Sequence, residues 1–228
     1  QPPPSDADFD FAVCMLASGS KGNAVYISNG TTSLLIDAGL SGIEIQRRLA
    51  SKGFRPEDLD AILVSHEHSD HVQGVGVLSR RFHLPVYINK RTLGAASRLG
   101  NLSDLRVFDC GTAFRIGQLS IHPFSLSHDA KDPSGFTVGQ NGKKIGLATD
   151  LGISTAMVKS HLADCTVLIL EANHDPIMLE NGPYPWPLKQ RIKSRTGHLS
   201  NKASKELLAE IRHSRLEHVI LAHLSEIN

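Results

Sequence analysis

Ala-Ile-Leu-Val-Ser-His-Glu-His-Ser-Asp-His, residues 61–71, sets an apolar, partly β-branched run directly before a cluster of metal donors. Residues 61–65 read as a buried strand: the run is short and uniformly apolar, without helical spacing. His66, His68, Asp70 and His71 then place four possible ligands within six residues. In an extended turn alternate side chains face one way, so His66 and His68 can converge on one cation. Asp70 and His71, at the turn into a helix, face a second. Imidazole nitrogen with carboxylate oxygen suits zinc first, and also manganese or iron. A single histidine is usually a packing or surface residue; a run this dense after a strand reads as a metal motif.

Outward from this run, residues 11–17, 24–28 and 33–37 read as strands separated by Gly, Asn and Ser turns. A helix is expected over 43–52, stopped by Gly53, and another opens at His71 with Val75 and Leu78 inward. Strand 85–89 and helix 91–99 follow. Between 105 and 149 helical periodicity gives way to strands at 106–109, 119–127, 135–139 and 144–149. Helices return at 154–161, 188–193 and 202–213, with strands 167–171 and 218–223 among them. Two β-rich blocks, each with its own helices, predict an α+β chain of two sheets packed face to face with helices outside. Polar residues close many of these strands: Asp37, His66, Asp109, His128, Asp150, Glu171 and His223. His128, Asp150 and His223 each end an apolar strand, wasteful in a core and sensible at a metal, so they are the candidate distant ligands. His83, His122, His161, His213 and His218 lack that context and read as surface or packing residues.

The 228 residues suit one large domain, and 40% hydrophobic with 21% charged residues is the balance of a soluble globular protein. The formal net charge is +1, so any affinity for phosphate must come from a local patch. Cys14, Cys110 and Cys165 are odd in number and widely spaced, which argues against a disulfide framework or a thiolate zinc site. Reduced thiols predict a cytoplasmic setting. No run of about 18 apolar residues occurs, so no membrane span is expected. Residues 1–10, polar and Pro-rich, read as a loose or appended tail and lack the basic and apolar regions of a signal peptide.

The run at 66–71, followed by isolated His, Asp and His donors, resembles the metallo-β-lactamase fold, and the likeness extends from Leu16 to Ser225. That resemblance implies an αββα sandwich with the site at one edge. It also implies two divalent metal ions: His66, His68 and His128 hold one, Asp70, His71 and His223 the second, and Asp150 bridges them. His68, where flavodiiron relatives carry Glu, argues against a redox role. Outside the ligands, Ala-Ser-Gly-Ser-Lys-Gly-Asn at 17–23, Leu-Ile-Asp-Ala-Gly-Leu-Ser at 35–41, Glu-Ala-Asn-His-Asp at 171–175, Gly-Pro-Tyr-Pro-Trp-Pro-Leu-Lys at 182–189 and Gly-His-Leu-Ser-Asn at 197–201 resemble the YycJ/WalJ-like branch. The branch implies a 5′-to-3′ exonuclease acting on duplex DNA. Residues 198–223 are similar to the tail of ribonuclease Z, where the first His assists phosphodiester cleavage, which implies that role for His198. The branch commonly runs further than five residues past His223, so 11–228 is expected to be one domain lacking a further C-terminal segment.

The residues lean towards phosphodiesters on their own. Two divalent ions about 3.5–4 Å apart can clamp the attacking and leaving oxygens of an in-line displacement. A metal-bridging hydroxide oriented by Asp70 is the expected nucleophile. Ser18, Ser20 and Asn23, with Gly19 and Gly22, form a turn that either aims backbone N–H groups at a phosphate or is a plain β-turn. Lys189, Arg191, Lys193 and Arg195, beside Tyr184 and Trp186, form either a track for nucleic-acid phosphates with a stacking platform or a solvated helix face. His174 and Asp175 are expected near the metals, orienting ligands or, for His174, touching substrate. Glu171 either sets the tautomer of His198 or faces solvent. His198 itself is read as the general acid, with a helix cap and an extra ligand as the rival roles. Two other classes stay open. A small-molecule hydrolase acting on an ester, thioester or cyclic phosphodiester would favour a closed pocket. A non-catalytic DNA-binding or scaffold protein would have broken ligands, whereas this set is complete.

Overall fold

In the computed structural model, which describes residues 11–228, the strands fall into two six-stranded mixed sheets. The tail expected at 1–10 lies outside the described residues. The first sheet runs β1 (Ala12–Ala17), β2 (Ala24–Ser28), β3 (Ser33–Ile36), β4 (Ala61–Leu63), β5 (Pro85–Asn89) and β6 (Asp104–Phe108) in spatial order. Pairing is antiparallel from β1 to β3 and parallel from β3 to β6. The second sheet uses β7 (Phe114–Ile116), β8 (Leu119–Ser125), β9 (Ser134–Gln140), β10 (Lys143–Ala148), β11 (Val167–Glu171) and β12 (His218–Ala222). It repeats the plan, antiparallel as far as β10 and parallel from β10 to β12.

The helices are α1 (Gly42–Ala50), α2 (Ser69–Val72), α3 (Val75–Phe82), α4 (Lys90–Ala95), α5 (Ala156–Leu162), α6 (Pro176–Asn181), α7 (Trp186–Lys193) and α8 (Asn201–Ile211). Because successive strand side chains face opposite ways, each central strand serves two cores. Leu34, Ile36 and Leu63 meet Phe136, Ile145 and Ile169 between the sheets. Leu35, Ile62 and Val86 face out onto Ile45 and Leu49 of α1 and Val75 and Leu78 of α3. On the far side Leu168 and Leu170 meet Val158 and Leu162 of α5 and Leu207 and Ile211 of α8. The result is the expected αββα sandwich, with helix, sheet, sheet and helix in four layers. No helix of the described residues is long and apolar enough to cross a membrane.

Several boundaries differ from expectation for local reasons. The helix expected to open at His71 begins at Ser69, makes one turn as α2, and breaks before α3. The break falls at Gly74, whose N–H bonds Ala38 O and whose missing Cβ would run into Leu40 O. Helix α4 ends at Ala95, four residues early, and β6 starts at Asp104. Strand β7 and helix α6 were not anticipated, since three and six residues carry no usable period. A start signal for α6 was nonetheless present: Asp175 accepts hydrogen bonds from the N–H groups of Ile177 and Met178, with Pro176 at the first helical position.

Candidate metal centre and cleft

Six strands deliver polar groups to one edge of the sandwich. His66 follows β4, His128 follows β8, Asp150 follows β10, Glu171 ends β11, His223 follows β12, and Asp37 follows β3. Asp37, Asp150 and His223 all have left-handed backbone, with φ of 61°, 61° and 55°. A non-glycine residue in that region costs about 1–3 kcal/mol and persists only where its surroundings over-determine it. Three such residues at one edge of the sandwich mark where local strain serves side-chain placement.

All seven candidate ligands come together. Donor atoms of His66, His68 and His128 lie within 4.8 Å of one another, as do those of Asp70, His71 and His223. Asp150 forms a third such group with His66 and His71. A fourth, not anticipated as a unit, joins Asp150, Glu171, His198 and His223.

His71, His128 and His223 are anchored by Nδ1, leaving Nε2 turned to the cluster. His71 Nδ1–H donates to Asp37 Oδ2 at 2.8 Å, and Asp37 in turn accepts from Ser65 N and Oγ. His128 Nδ1–H donates to Gly197 O at 3.1 Å. Glu171, fully buried, takes His198 Nδ1 at 2.7 Å and His223 Nδ1 at 3.2 Å on one oxygen, and Leu151 N–H at 2.6 Å on the other. Such outer partners fix ring orientation and tautomer. Asp37, Ser65 and Asn173, which donates to His223 O at 2.8 Å, are contributors that sequence reasoning did not assign. For Asp37 the one available signal was its place at the end of an apolar strand.

Charge follows the same geometry. Burial works against protonating His71, yet the carboxylates of Asp150 and Asp37 hold it well above its ordinary value. Burial also opposes protonation of His223, but Asp150 and Glu171 push it up to about 9. Asp150 is held well below the usual carboxylate range despite burial, chiefly by His223 and His71. Burial, reinforced by the neighbouring His71, lowers His66 far below the usual imidazole range.

Above the cluster lies a cleft of about 460 Å³, lined among others by Ser20, His68, Asp70, Asp150, Arg191 and His198. In the turn at 18–23 three N–H groups are taken up within the chain: Gly22 N by Gly19 O, Gly19 N by Asn23 Oδ1, and Asn23 N by Asp70 O. Ser18 Oγ accepts His223 N–H at 2.6 Å, and Asn23 Nδ2 lies 3.2 Å from Asp70 Oδ2, so both brace the cluster while Ser20 faces the cleft. His174 is buried against Asn173 and Ser200 and does not line the cleft. The basic run is largely spent on its own chain. Lys189 donates to Glu180 O, Lys193 pairs with the Glu180 carboxylate, and Arg191 bonds Asp129 at 2.6 Å. Tyr184 lines the cleft, whereas Trp186 is 63% exposed and does not.

The description "Beta-lactamase superfamily domain" matches residues 32–224 of the chain. This chain belongs to the beta-lactamase superfamily. Within that superfamily it is 39% identical to Exodeoxyribonuclease WalJ of Streptococcus pneumoniae serotype 2 (strain D39), over 97% of this chain and 84% of that protein. It is 38% identical to Exodeoxyribonuclease YycJ of Bacillus anthracis, over 92% of this chain and 81% of that protein. The fold is shared with the metallo-beta-lactamase fold protein YhfI of Bacillus subtilis, at a TM-score of 0.76 and 18% identity, covering 96% and 87% of the two chains. For this superfamily member the donors fit divalent cations in chemistry and grouping. Asp150 Oδ2 and His223 Nε2 are buried without a hydrogen-bond partner, although His71 Nε2 lies 3.2 Å from the former. A cation would satisfy both.

Proposed function

We propose that this chain is a dinuclear metal-dependent nuclease of the cytoplasm that removes nucleotides from DNA ends, 5′ to 3′. The observation that carries the reading is the Glu171–His198 pair, 2.7 Å apart, set beside the donor groups in one cleft. In this reading His66, His68 and His128 hold one ion, Asp70, His71 and His223 the other, and Asp150 is shared. Zinc is the first choice for such donors, with manganese and iron as alternatives. Bound there, two ions would supply positive charge to a phosphoryl oxygen and lower the pKa of an attacking water. Asp70, braced by Asn23, accepts a hydrogen bond from that water and aims it. His198, fixed through Nδ1 by Glu171, turns Nε2 to the cleft and hands a proton to the departing alkoxide, a poor leaving group without one. The names of the pneumococcal and anthrax relatives support nucleic acid as the substrate.

The test is release of mononucleotides from end-labelled duplex DNA, with metal content measured in parallel. Stepwise release that stops with chelator and returns with metal is the expected result. Intact duplex alongside turnover of an ester or cyclic phosphodiester would favour a small-molecule hydrolase, which a 460 Å³ cleft also admits. Replacing Asp70 and Asp150 together by Asn should leave a folded chain with less than one metal per molecule; full occupancy would sink the ligand assignment.

A further inference from the structure

At the pole of the sandwich opposite the donors, the second sheet carries a further pocket, of about 410 Å³. Its walls come from the starts of β8 and β10, the end of β9, and the loops before β11 and β12. The donors lie at the other ends of β8, β10, β11 and β12. β10 rises about 3.3 Å per residue, so its first residue, Lys143, and its last, Ala148, stand about 17 Å apart. Independently of the nuclease reading, we propose that this pocket binds a short chain of linked phosphates, the group shared by inorganic polyphosphate and a nucleoside triphosphate.

Charge and shape carry the argument. Among the described residues Arg115, Lys143, Lys144 and Arg215 line the pocket with one carboxylate, Asp164, whereas the whole chain holds 24 Lys and Arg against 23 Asp and Glu. A concavity lined by one sign of charge focuses its field on the space it encloses. The cations also stand in a row. Arg115 is on β7, the two lysines open β10, and Arg215 precedes β12, so the groups are three and two strands apart in the sheet. At about 4.8 Å between strands their backbones are about 10–14 Å apart, a gap that long side chains close from both sides. A single phosphate meets one group, and a chain of phosphates meets more.

The cations are positioned without being used up. Arg115 Nη2 donates to Gln118 O at 2.8 Å, which folds it over the β7–β8 turn. Lys144 Nζ donates to His161 O at 3.1 Å and to Ala163 O, pinning its charge at the end of α5. Arg215 pairs with Asp164 at 2.8 Å, but the two side chains are 61% and 68% exposed, a weak contact that a phosphate can displace. Each guanidinium keeps further N–H donors in one plane, the geometry that matches phosphate oxygens. Gln118 and Gln140, joined by a 2.8 Å amide hydrogen bond, add neutral polar surface beside the cations. A DNA strand, with one charge per phosphate, brings less charge in the same length, and here it would lie across the sandwich from the proposed cleavage centre.

The test is equilibrium dialysis of the metal-loaded protein at low salt against tripolyphosphate, ATP and AMP, with metal content checked afterwards. Tripolyphosphate should bind at least tenfold tighter than AMP. Arg115→Ala with Arg215→Ala should weaken it at least tenfold, while Lys at both positions should stay within threefold. Asp164→Asn removes the competing carboxylate and should tighten binding at least twofold, a gain that loss of structure does not give. ATP tighter than tripolyphosphate assigns the site to a nucleotide, and equal affinities assign it to the inorganic chain. Wild-type affinity in the double Ala variant, or AMP binding as well as tripolyphosphate, overturns the proposal. So does a single-stranded oligonucleotide that displaces tripolyphosphate through the same arginines, which would make the row a polynucleotide contact. Altered metal content in the variants would tie these residues to the centre and overturn a separate site.

Discussion

Glu171 shows how much one buried side chain can set: it fixes the rings of His198 and His223 and takes a backbone N–H besides. If His198 is the proton donor, His198→Ala should lose about 10²–10⁴-fold on DNA. The loss on an activated nitrophenyl phosphodiester, whose phenolate leaves unaided, should be at least tenfold smaller at normal metal content. Equal losses on both would refute the assignment, and lost metal would make His198 a ligand. Asp37→Ala should weaken metal affinity by about 10–100-fold, as removal of a ring-orienting carboxylate does; an unchanged affinity in a competition titration would contradict that role. Cys165 titrates at the opposite pole. Burial pushes its thiol up to about 11, above its ordinary 9, so the folded chain keeps a proton that the unfolded chain gives up. That contribution to stability is complete below pH 9 and is lost as pH rises to about 11. Cys165→Ala should therefore flatten the fall in unfolding midpoint across that window, and iodoacetamide at pH 8 should spare Cys165 until denaturant is added. The donor run was legible in sequence because its four candidate ligands fall within six residues. Asp37, Asn173 and Asp129 were not, because each acts on a ring or helix that only the fold brings near.

Among the elements, the loop after β3 is the tightest joint. An added Cβ at Gly39 would run into the Asp70 carbonyl, while Gly39 N–H bonds Asn23 O and Asn23 N–H bonds that same carbonyl of Asp70. Loop, turn and α2 are thus stacked backbone on backbone. Gly39→Ala should cost about 1–3 kcal/mol or more by overpacking and displace Asp70, read as a lower urea midpoint together with reduced metal content. Normal metal content in a destabilised protein would show that the joint does not position Asp70. Helix α7 is the contrast: none of its residues is buried, and Lys189, Lys193 and Arg191 tie it to Glu180 and Asp129. Strands and long helices could be read from periodicity because their burial is one-sided or complete. The short α6 could be read only from its cap, and the tie between α7 and the His128 loop not at all, since Arg191 and Asp129 are 62 positions apart.

At the scale of the molecule, the cores between and outside the sheets account for the fold, each buried Leu or Ile contributing about 1.5–3 kcal/mol. The donors cross that architecture: each proposed triad takes two residues from the run after β4 and one from the second sheet. Metal should therefore clamp one sheet to the other. At free metal about 1,000 times Kd the gain is about 4 kcal/mol. For a domain of this size that corresponds to a Tm rise of roughly 8–16 °C, reversed by chelator. Identical melting with and without metal would contradict a shared site. The same crossing sets an order of events during synthesis. While the ribosome is still making the second sheet, His66 to His71 can offer a passing ion no more than pairs of donors, and weak ones. His128 closes the first triad midway, and His223 closes the second only when β12 has been made and docked. Scarce metal is thus kept from unfinished or truncated chains, and a competent hydrolytic centre first exists on a molecule that has already folded.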